Sequence, residues 1–561
     1  MADKKTVLIL GGGIGGQTAA NALARRFNGR HRVVLVEKEA AFAFSPSFLW
    51  ILTGERTPEQ VQKPLAAMLR PGVEIVRAEA TAIRPAERIV ETSSGPLKFD
   101  ALLISLGAEL APEKIPGFKE AALNLYALEG SLKIAERLRE FSGGRVAVLI
   151  SSSPFKCPAA PYEAAFLVGD FLKKRSVSAE LAVFTPEPYP MPTAGPEVGA
   201  ALRGMLEAKG IAFNPGHKVS GIDVQAKTIS FDNGKTASFD LLIGVPPHQS
   251  PRVVRESGLA NEAGWIPVDR ETLATKHDGI FAVGDVSFTP LAQGKALPKA
   301  GVFAHAQAEI AAENIADFFD GRAPTKRFDG QGWCAIELGG GTAAFGSGNF
   351  FGETPRMRLY EPSKSWHAGK VLFEKWWLTS FGLKRELLDM ILKWGARTKG
   401  VVLGASLAVL FSLSGSARCS AAAPDARNSS ETAAAETSST IIQTIKPEVL
   451  IKQLKAPRGR RPLILQVGFR VLYDQAHIPG SEYVGAVSKE EGRLALRQRV
   501  KNLPRGAAIV IYCGCCPWEH CPNIRPAWLE LRAMGFKNVK ALILPKNFGA
   551  DWVEKGYPVS R

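Results

Sequence analysis

Short, unbroken apolar runs alternate with helical spacing along the first part of the chain. "TVLIL" (6–10) reads as a buried strand, "GQTAANALARRF" (16–27) as a helix with one apolar face, and "RVVLVE" (32–37) as a second strand. Strands covered on both faces read as continuous apolar runs, so this order predicts a parallel α/β sheet. A second run of the same kind starts at "GRVAVLI" (144–150) and continues through "AELAVFTPE" (179–187) and "AALRGMLEAKGIAF" (200–213). Then come "WIPVDRETLATKHDGIFAVGDVSF" (265–288) and the helix "AHAQAEIAAENIADFF" (304–319). The order predicts one domain interrupted by another and then resumed.

The pattern changes further on. Residues 333–350 are glycine-rich and strand-like, and 364–394 are helical, with tryptophans and lysines interleaved. Trp366, Trp376, Trp377 and Trp394 are four of the ten tryptophans in the chain. Tryptophan and lysine together on an amphipathic helix suit a bilayer interface; a dimer face or a core helix is the other reading. "GVVLGASLAVLFSLSGSA" (400–417) carries no charge, and its 18 residues would span roughly 27 Å as a helix, just short of a ~30 Å hydrocarbon core. It is expected to span a membrane with its N-terminal side cytoplasmic, because Lys393, Arg397 and Lys399 precede it; a buried helix or hairpin is the alternative. "SAAAPDARNSSETAAAETSST" (420–440) reads as a disordered linker.

Composition narrows the classes. A chain of 561 residues has room for several domains. The net charge of +16 is spread without a long basic block, so it favours an anionic lipid face over nucleic acid. Seven cysteines are too few for a disulfide scaffold, and "MADKKTVLILGGG" is not a secretory signal.

The candidate chemistry begins at "LILGGGIGG", which places G-x-G-x-x-G at Gly11, Gly13 and Gly16. The first glycine allows a tight turn, the second lets a pyrophosphate approach the backbone, and the third lets helix and strand pack closely. Glu37 closes the second strand, twenty-one residues after Gly16, where an acid binds a ribose hydroxyl. "FDALLISLGA" (99–108) ends a strand in a small-residue turn at Gly107, and "GIFAVGDV" (279–286) sets Asp285 near a strand end. Both match patterns of flavoproteins with two dinucleotide domains, which implies FAD, with Asp285 on the ribityl chain. "LPKAGVFAHAQA" (297–308) then leads a helix N-terminus toward the flavin, and Lys299 is placed to stabilise charge on the reduced ring.

The turn after "RVAVLI" is "SSSPFKCPAAPYEAA" (151–165), which lacks the glycines a second nucleotide would need. It carries Cys157 beside Lys156, just before a helix. Both features are expected to lower a thiol pKa and favour a thiolate. Glu163 is placed to relay a proton. The alternative is a buried structural cysteine in a degenerate nucleotide domain.

Over roughly 5–395 the chain resembles the sulfide:quinone oxidoreductase and flavocytochrome c sulfide dehydrogenase flavoprotein family. The resemblance rests on "AFAFSPSFLWIL", "PFKCPAAPYEAA", "LLIGVPPHQSPRVVRESGL", "WCAIELGGGTAAFG" and "SWHAGKVLFEKWWL". It implies that Cys157 and Cys334 are a redox pair flanking FAD. It further implies oxidation of hydrogen sulfide to persulfide or polysulfide sulfur. The third cysteine frequent in quinone-reducing members is missing ahead of Cys157, which resembles the cytochrome-linked ones. With no C-x-x-C-H, a membrane quinone is the favoured acceptor and a c-type cytochrome the alternative. A type II NADH dehydrogenase and a non-catalytic thiol redox sensor are the competing functions.

From about 445 to 561, "HIPGS", the "YC" ending a strand and "RAMGFKNVKAL" resemble a rhodanese-like domain. The resemblance implies a sulfurtransferase with Cys513 as the sulfur-carrying thiol and a separate sulfur acceptor. Gln466 replaces the usual acid, and the loop adds Cys515, Cys516 and Cys521 near His520, in a spacing that fits no common zinc pattern. A disulfide or a metal site in this loop are the other readings; no metal is expected.

The expected fold is therefore α/β, with two Rossmann-like dinucleotide-binding domains, amphipathic membrane-binding helices and a C-terminal rhodanese-like α/β domain. The expected division is an FAD-binding domain at 1–143 and 246–330, interrupted by a second nucleotide-type domain at 144–245. A cysteine-bearing, membrane-binding region at 331–395 follows, then a possible membrane helix at 396–418, a linker at 419–443 and the rhodanese-like domain at 444–561. The expected location is a bacterial-type inner membrane, with the flavoprotein part cytoplasmic and the rhodanese-like part periplasmic.

Overall fold

A computed structural model of the chain describes residues 4–353, 355–382, 385, 442–454, 461–468, 470–488, 490–514, 518, 521, 523–545 and 547–560. The chain divides into two compact units, 1–418 and 419–561.

In the first unit, β1 (Thr6–Leu10) runs into helix α1 (Ile14–Phe27), and β2 (Arg32–Val36), β3 (Val73–Val76) and β4 (Ala101–Ile104) follow. Together with the strand Ile280–Ala282 they form one parallel sheet, with β4 and β2 on either side of β1. Val7 to Leu10 are almost fully buried, as expected of a strand covered on both faces. The late strand returns beside β4, so the first layer is interrupted and resumed.

A second parallel sheet carries β5 (Leu123–Asn124), helix α2 (Leu128–Glu140), β6 (Gly144–Ile150), helix α3 (Ala160–Lys174), β7 (Ala179–Phe184), β8 (Ile211–Asn214) and β9 (Leu241–Val245). Its strand order is β5–β9–β6–β7–β8. This layer starts earlier than the expected boundary at 144: β5 edges the sheet, and Ile134 and Leu138 of α2 join its core. A two-residue edge strand is too short to leave a periodic signal.

Helix α4 (Gly301–Phe319) packs on α1 and leads to an antiparallel sheet of β10 (Gln331–Gly339), β11 (Thr342–Asn349) and β12 (Arg356–Ser363). Helix α5 (Lys364–Trp377) follows, with Ser363 Oγ accepting from the Trp366 N–H at its N-cap. The tryptophans of this helix among the described residues pack against protein. Trp376 and Trp377 are buried with Phe44 and Met68, and Trp366 stacks on Phe345 at 4.4 Å. Burial of an indole such as Trp376 or Trp377 is worth on the order of 3 kcal/mol, so these two positions serve core packing. Arg56 Nη2, at 2.8 Å, and Ser47 Oγ, at 2.6 Å, both donate to buried Glu374, tying α5 to the first layer.

The second unit holds a five-stranded parallel sheet in the order Thr444–Ile445, Val539–Leu542, Ile509–Tyr512, Leu463–Gln466, Glu482–Tyr483. The helix Ile524–Ala533 packs on it through Ile524, Ala527, Trp528 and Leu531. The expected spanning segment 400–417, Trp394, Cys419 and the linker to residue 441 lie outside the described residues. Among the described residues no helix is long and apolar enough to cross a membrane.

Candidate active site

The glycine turn between β1 and α1 is set by close packing. Gly11 sits at φ +96°, and a Cβ there would lie 2.4 Å from the Ser105 carbonyl oxygen. A Cβ on Gly16 would lie 1.8 Å from the Gly11 carbonyl oxygen, whereas Gly13, the N-cap of α1, faces open space. Glu37 accepts the Gly12 N–H at 2.6 Å and the Glu39 N–H at 2.8 Å. Gly12, Gly13, Glu37, Gly107, Asp285 and Lys299 all line one cavity of ≈ 420 Å³.

The same cavity is lined by Cys157, Glu163, Cys334 and Lys370. Cys157 lies in the turn before α3 at φ +49°, its N–H donating to the Lys299 carbonyl at 2.6 Å. Its own carbonyl accepts from Ala160 N–H at 2.9 Å and from Tyr126 Oη at 3.1 Å. Cys334 comes from β10, and both cysteines are free thiols, partly open.

Their electrostatics correct the expectation of a low thiol pKa. Burial pushes the Cys157 thiol up from the ordinary 9.0 to about 12, and Glu163 pushes the same way. Lys370 and the Ala160 N–H oppose this. Burial, Glu163 and Cys157 raise Cys334 likewise, again against Lys370. Desolvation disfavours the charged form, and neighbours in sequence do not reveal it.

Glu163, on α3, is buried. Its Oε1 accepts the Glu337 N–H at 2.8 Å and is paired with Lys370 Nζ. Burial works against the charge on Lys370, but Glu163 and Glu337 outweigh it and hold its pKa above the usual lysine value. Glu337 Oε2 meets His367 Nδ1 at 2.9 Å. Lys370, Glu337 and His367 were not singled out in sequence. The stretch "SWHAGKVLFEKWWL" contains the lysine and the histidine, and its spacing sets both on one face of α5.

Lys299 Nζ donates to the Asp285 carbonyl at 2.5 Å and lies 3.4 Å from the centre of the Trp265 ring. Burial lowers its pKa to about 8, against the pull of Asp285. Burial raises Asp285 in turn, with Lys299 and Lys156 opposing.

The turn between β6 and α3 is backed by buried aromatic side chains. Phe155 and Tyr162 are buried, and Tyr162 Oη donates to Glu187 Oε2 at 3.0 Å, just beyond β7. Burial pushes Glu187 up to about 7.

In the second unit Cys513 follows the strand Ile509–Tyr512 and is buried. Asn523 Nδ2 donates to its Sγ at 3.4 Å, and Gln466 Nε2 donates to its carbonyl at 2.9 Å. Cys521 is buried in the same core. Cys515, Cys516 and His520 lie outside the described residues. Among the described residues no three or more His, Cys, Asp or Glu side chains gather as a metal site.

Residues 5–309 match the family described as pyridine nucleotide-disulphide oxidoreductase. A mitochondrial sulfide:quinone oxidoreductase of Dictyostelium discoideum is 27% identical over 353 residues, covering 59% of this chain and 74% of that protein. A sulfide-quinone reductase of Aquifex aeolicus is 28% identical over 399 residues, covering 67% of this chain and 90% of that protein. The solved structure of the sulfide:quinone oxidoreductase from Aquifex aeolicus superposes with a TM-score of 0.60 at 24% identity, covering 69% of this chain and 96% of that one.

FAD is the cofactor of this α/β fold. The site fits it: the turn at Gly11 and Gly16 admits no side chain, Gly13 leaves open room at the helix N-terminus, and Glu37 and Asp285 flank the same cavity.

Proposed function

The chain belongs to the pyridine nucleotide-disulphide oxidoreductase family, and on that premise we propose that it oxidises sulfide at Cys157 and Cys334 and reduces a membrane quinone. The observation that carries this reading is that two cysteines, from a turn and from a distant strand, line the cavity that the glycine turn also lines. Bound FAD supplies two-electron acceptance from the cysteine pair and its return to quinone.

The residues divide the work as follows. With the pair as a disulfide, hydrosulfide attacks one sulfur, forming a persulfide and releasing the other cysteine as a thiolate. Lys370 and the Ala160 N–H stabilise that thiolate at Cys157. A second hydrosulfide takes the outer sulfur as hydrodisulfide and leaves a thiol. Glu163, beside both cysteines and charge-paired with Lys370, is the base at this site. Quinone suits the apolar, aromatic part of the cavity at Phe42, Phe44, Trp333 and Phe373.

NADH as reductant is disfavoured, because the turn between β6 and α3 carries prolines and the buried Phe155 where a nucleotide turn needs glycines. For the second unit we propose sulfur transfer at Cys513, supported by its position at a strand end and by the Asn523 donor on its sulfur. Loss of thiosulfate:cyanide sulfur transfer in full-length Cys513→Ala tests that part. The main test is anaerobic addition of sulfide to the purified flavoprotein, followed by decylubiquinone. Flavin bleaching and its reversal by quinone are expected; bleaching by NADH and not by sulfide would overturn the reading.

A further inference from the structure

Lys299 is a cation with little water around it. The residue is 7% exposed, lines the cavity that the glycine turn also lines, and precedes α4 by two residues. Its Nζ donates to the Asp285 carbonyl at 2.5 Å and lies over the Trp265 ring, 3.4 Å from the ring centre. Trp265 is buried and is not among the described residues that line the cavity. The turn before it fixes its place. The Trp265 N–H donates to Asn261 Oδ1 at 3.0 Å, and the Trp265 carbonyl accepts the Asn261 N–H at 2.8 Å. The lysine backbone is held as well, since its carbonyl accepts the Cys157 N–H.

An ammonium has three N–H donors. The Asp285 carbonyl takes one and the ring face covers a second side, which leaves the third for the cavity. An aromatic face attracts a cation most strongly where water is excluded, and tryptophan does so best. The other charges nearby secure the ammonium poorly. Asp285 favours it, but burial raises the Asp285 carboxyl and Lys156 draws on the same charge. His248, which both lysines also reach, is held neutral by burial, down at about 3. Burial of Lys299 outweighs Asp285 and brings the lysine to about 8. The ring face is the further support for its charge.

Reduction gives that charge a task. Two electrons and one proton turn the neutral flavin ring into an anion. We infer that Trp265 is a positioning residue for the flavin site: its ring face and the Asp285 carbonyl hold Lys299 as a charged donor toward the cavity, where it stabilises the reduced ring. The inference rests on the FAD site and not on sulfide or quinone as reactants. A tryptophan that merely filled the core would leave the charge of Lys299, and with it the flavin potential, unchanged.

The test is the flavin midpoint potential of the full-length holoprotein against pH, read from flavin absorbance during slow reduction by dithionite with a mediator dye. Where Lys299 is neutral in the oxidised protein, reduction takes up a second proton, onto the lysine, and the potential falls twice as steeply with pH. The wild-type curve is expected to steepen on the alkaline side of pH 8. Trp265→Leu is expected to weaken proton binding by Lys299 about tenfold, which moves the break about one pH unit lower and makes the potential above it more negative. Lys299→Met is expected to abolish the break, and Trp265→Leu added to it should change nothing further. A fluorinated tryptophan at position 265 keeps the shape and weakens the negative ring face, so it should move the break partway with the fold intact. An unchanged break in Trp265→Leu or in the fluorinated protein overturns the inference, as does an equal shift of potential by Trp265→Leu in the Lys299→Met background. Should sulfide fail to bleach the flavin, the function proposed above falls, and the potential curve still decides the role of Trp265.

Discussion

Cys157 and Lys299 are joined by a hydrogen bond of 2.6 Å from the cysteine N–H to the lysine carbonyl oxygen. The bond ties the turn before α3, in the second layer, to the segment that leads into α4, in the first. Cys157 also sits at φ +49°, a conformation that costs a non-glycine residue roughly 1 kcal/mol. Both constraints fix where its sulfur lies relative to the cavity that the glycine turn lines.

Replacement of either cysteine is expected to stop the sulfide reaction and leave the flavin in place. Cys157→Ser and Cys334→Ser should each slow sulfide-driven flavin bleaching by at least about 10²-fold, since the remaining thiol has no partner with which to form a disulfide. FAD content, read from the absorbance of the purified protein, should stay unchanged. Bleaching at the wild-type rate in both variants would show that the pair is not the site of attack.

The high thiol pKa has its own signature. In the reduced protein Cys157 ionises near 12 instead of the ordinary 9.0. Its alkylation by iodoacetamide should therefore rise about tenfold per pH unit across the neutral and mildly alkaline range, without a plateau where ordinary thiols level off. The stability consequence has the same origin. The unfolded thiol ionises from 9.0 and the folded one only near 12, so the contribution is complete below 9.0 and is lost as pH rises between the two. Lys370→Met removes the opposing cation and should make alkylation slower still at any given pH. Mass-spectrometric rates for the Cys157 peptide decide this, and faster alkylation in the variant would sink the electrostatic account.

Gly16 and Gly13 of the turn allow an independent check on the cofactor site. Gly16→Ala would set a Cβ 1.8 Å from a backbone oxygen that cannot move away, so it should destabilise the fold by several kcal/mol, giving little soluble protein. Gly13→Val meets open space at an ordinary φ of −74° and should leave the fold intact. It fills the room at the helix N-terminus, so FAD should be lost while the circular dichroism spectrum is retained. Equal FAD content in Gly13→Val and wild type would place the pyrophosphate elsewhere.

The parts of this site that sequence made legible are those fixed by local spacing. The strand, glycine turn, helix and acid at Glu37 lie within a few dozen residues, and their periods and separations are printed in the chain. Lys370 and Glu337 were not legible, because they reach Glu163 from 207 and 174 residues away. The thiol environment was misread for a related reason: Lys156 is adjacent in sequence, but burial dominates and the cation that opposes it arrives from α5. The tryptophans of α5 show the same limit. An apolar stripe fits lipid or protein equally well until Phe44 and Met68 are seen against it.

The Tyr162–Glu187 pair predicts a pH-dependent cost that can be measured directly. The folded carboxyl titrates at about 7 and an ordinary one at 4.5, because burial opposes its charge. Between those values the unfolded chain has released the proton that the folded chain still holds, so stability falls as pH rises. Above about 7 the penalty is constant, with a ceiling of about 3 kcal/mol, and below 4.5 it is absent. Glu187→Gln keeps an acceptor for Tyr162 Oη and removes the charge. It should therefore stabilise the first unit by on the order of 1–3 kcal/mol in mildly alkaline buffer and by little in mildly acidic buffer. Calorimetry of both proteins in the two buffers reads the difference. Equal gains in both would mean that charge is not the cause. The same variant keeps Phe155 and Tyr162 buried, so on the proposed reading it should gain no NADH oxidation; a gain would place the barrier to NADH in the charge of Glu187.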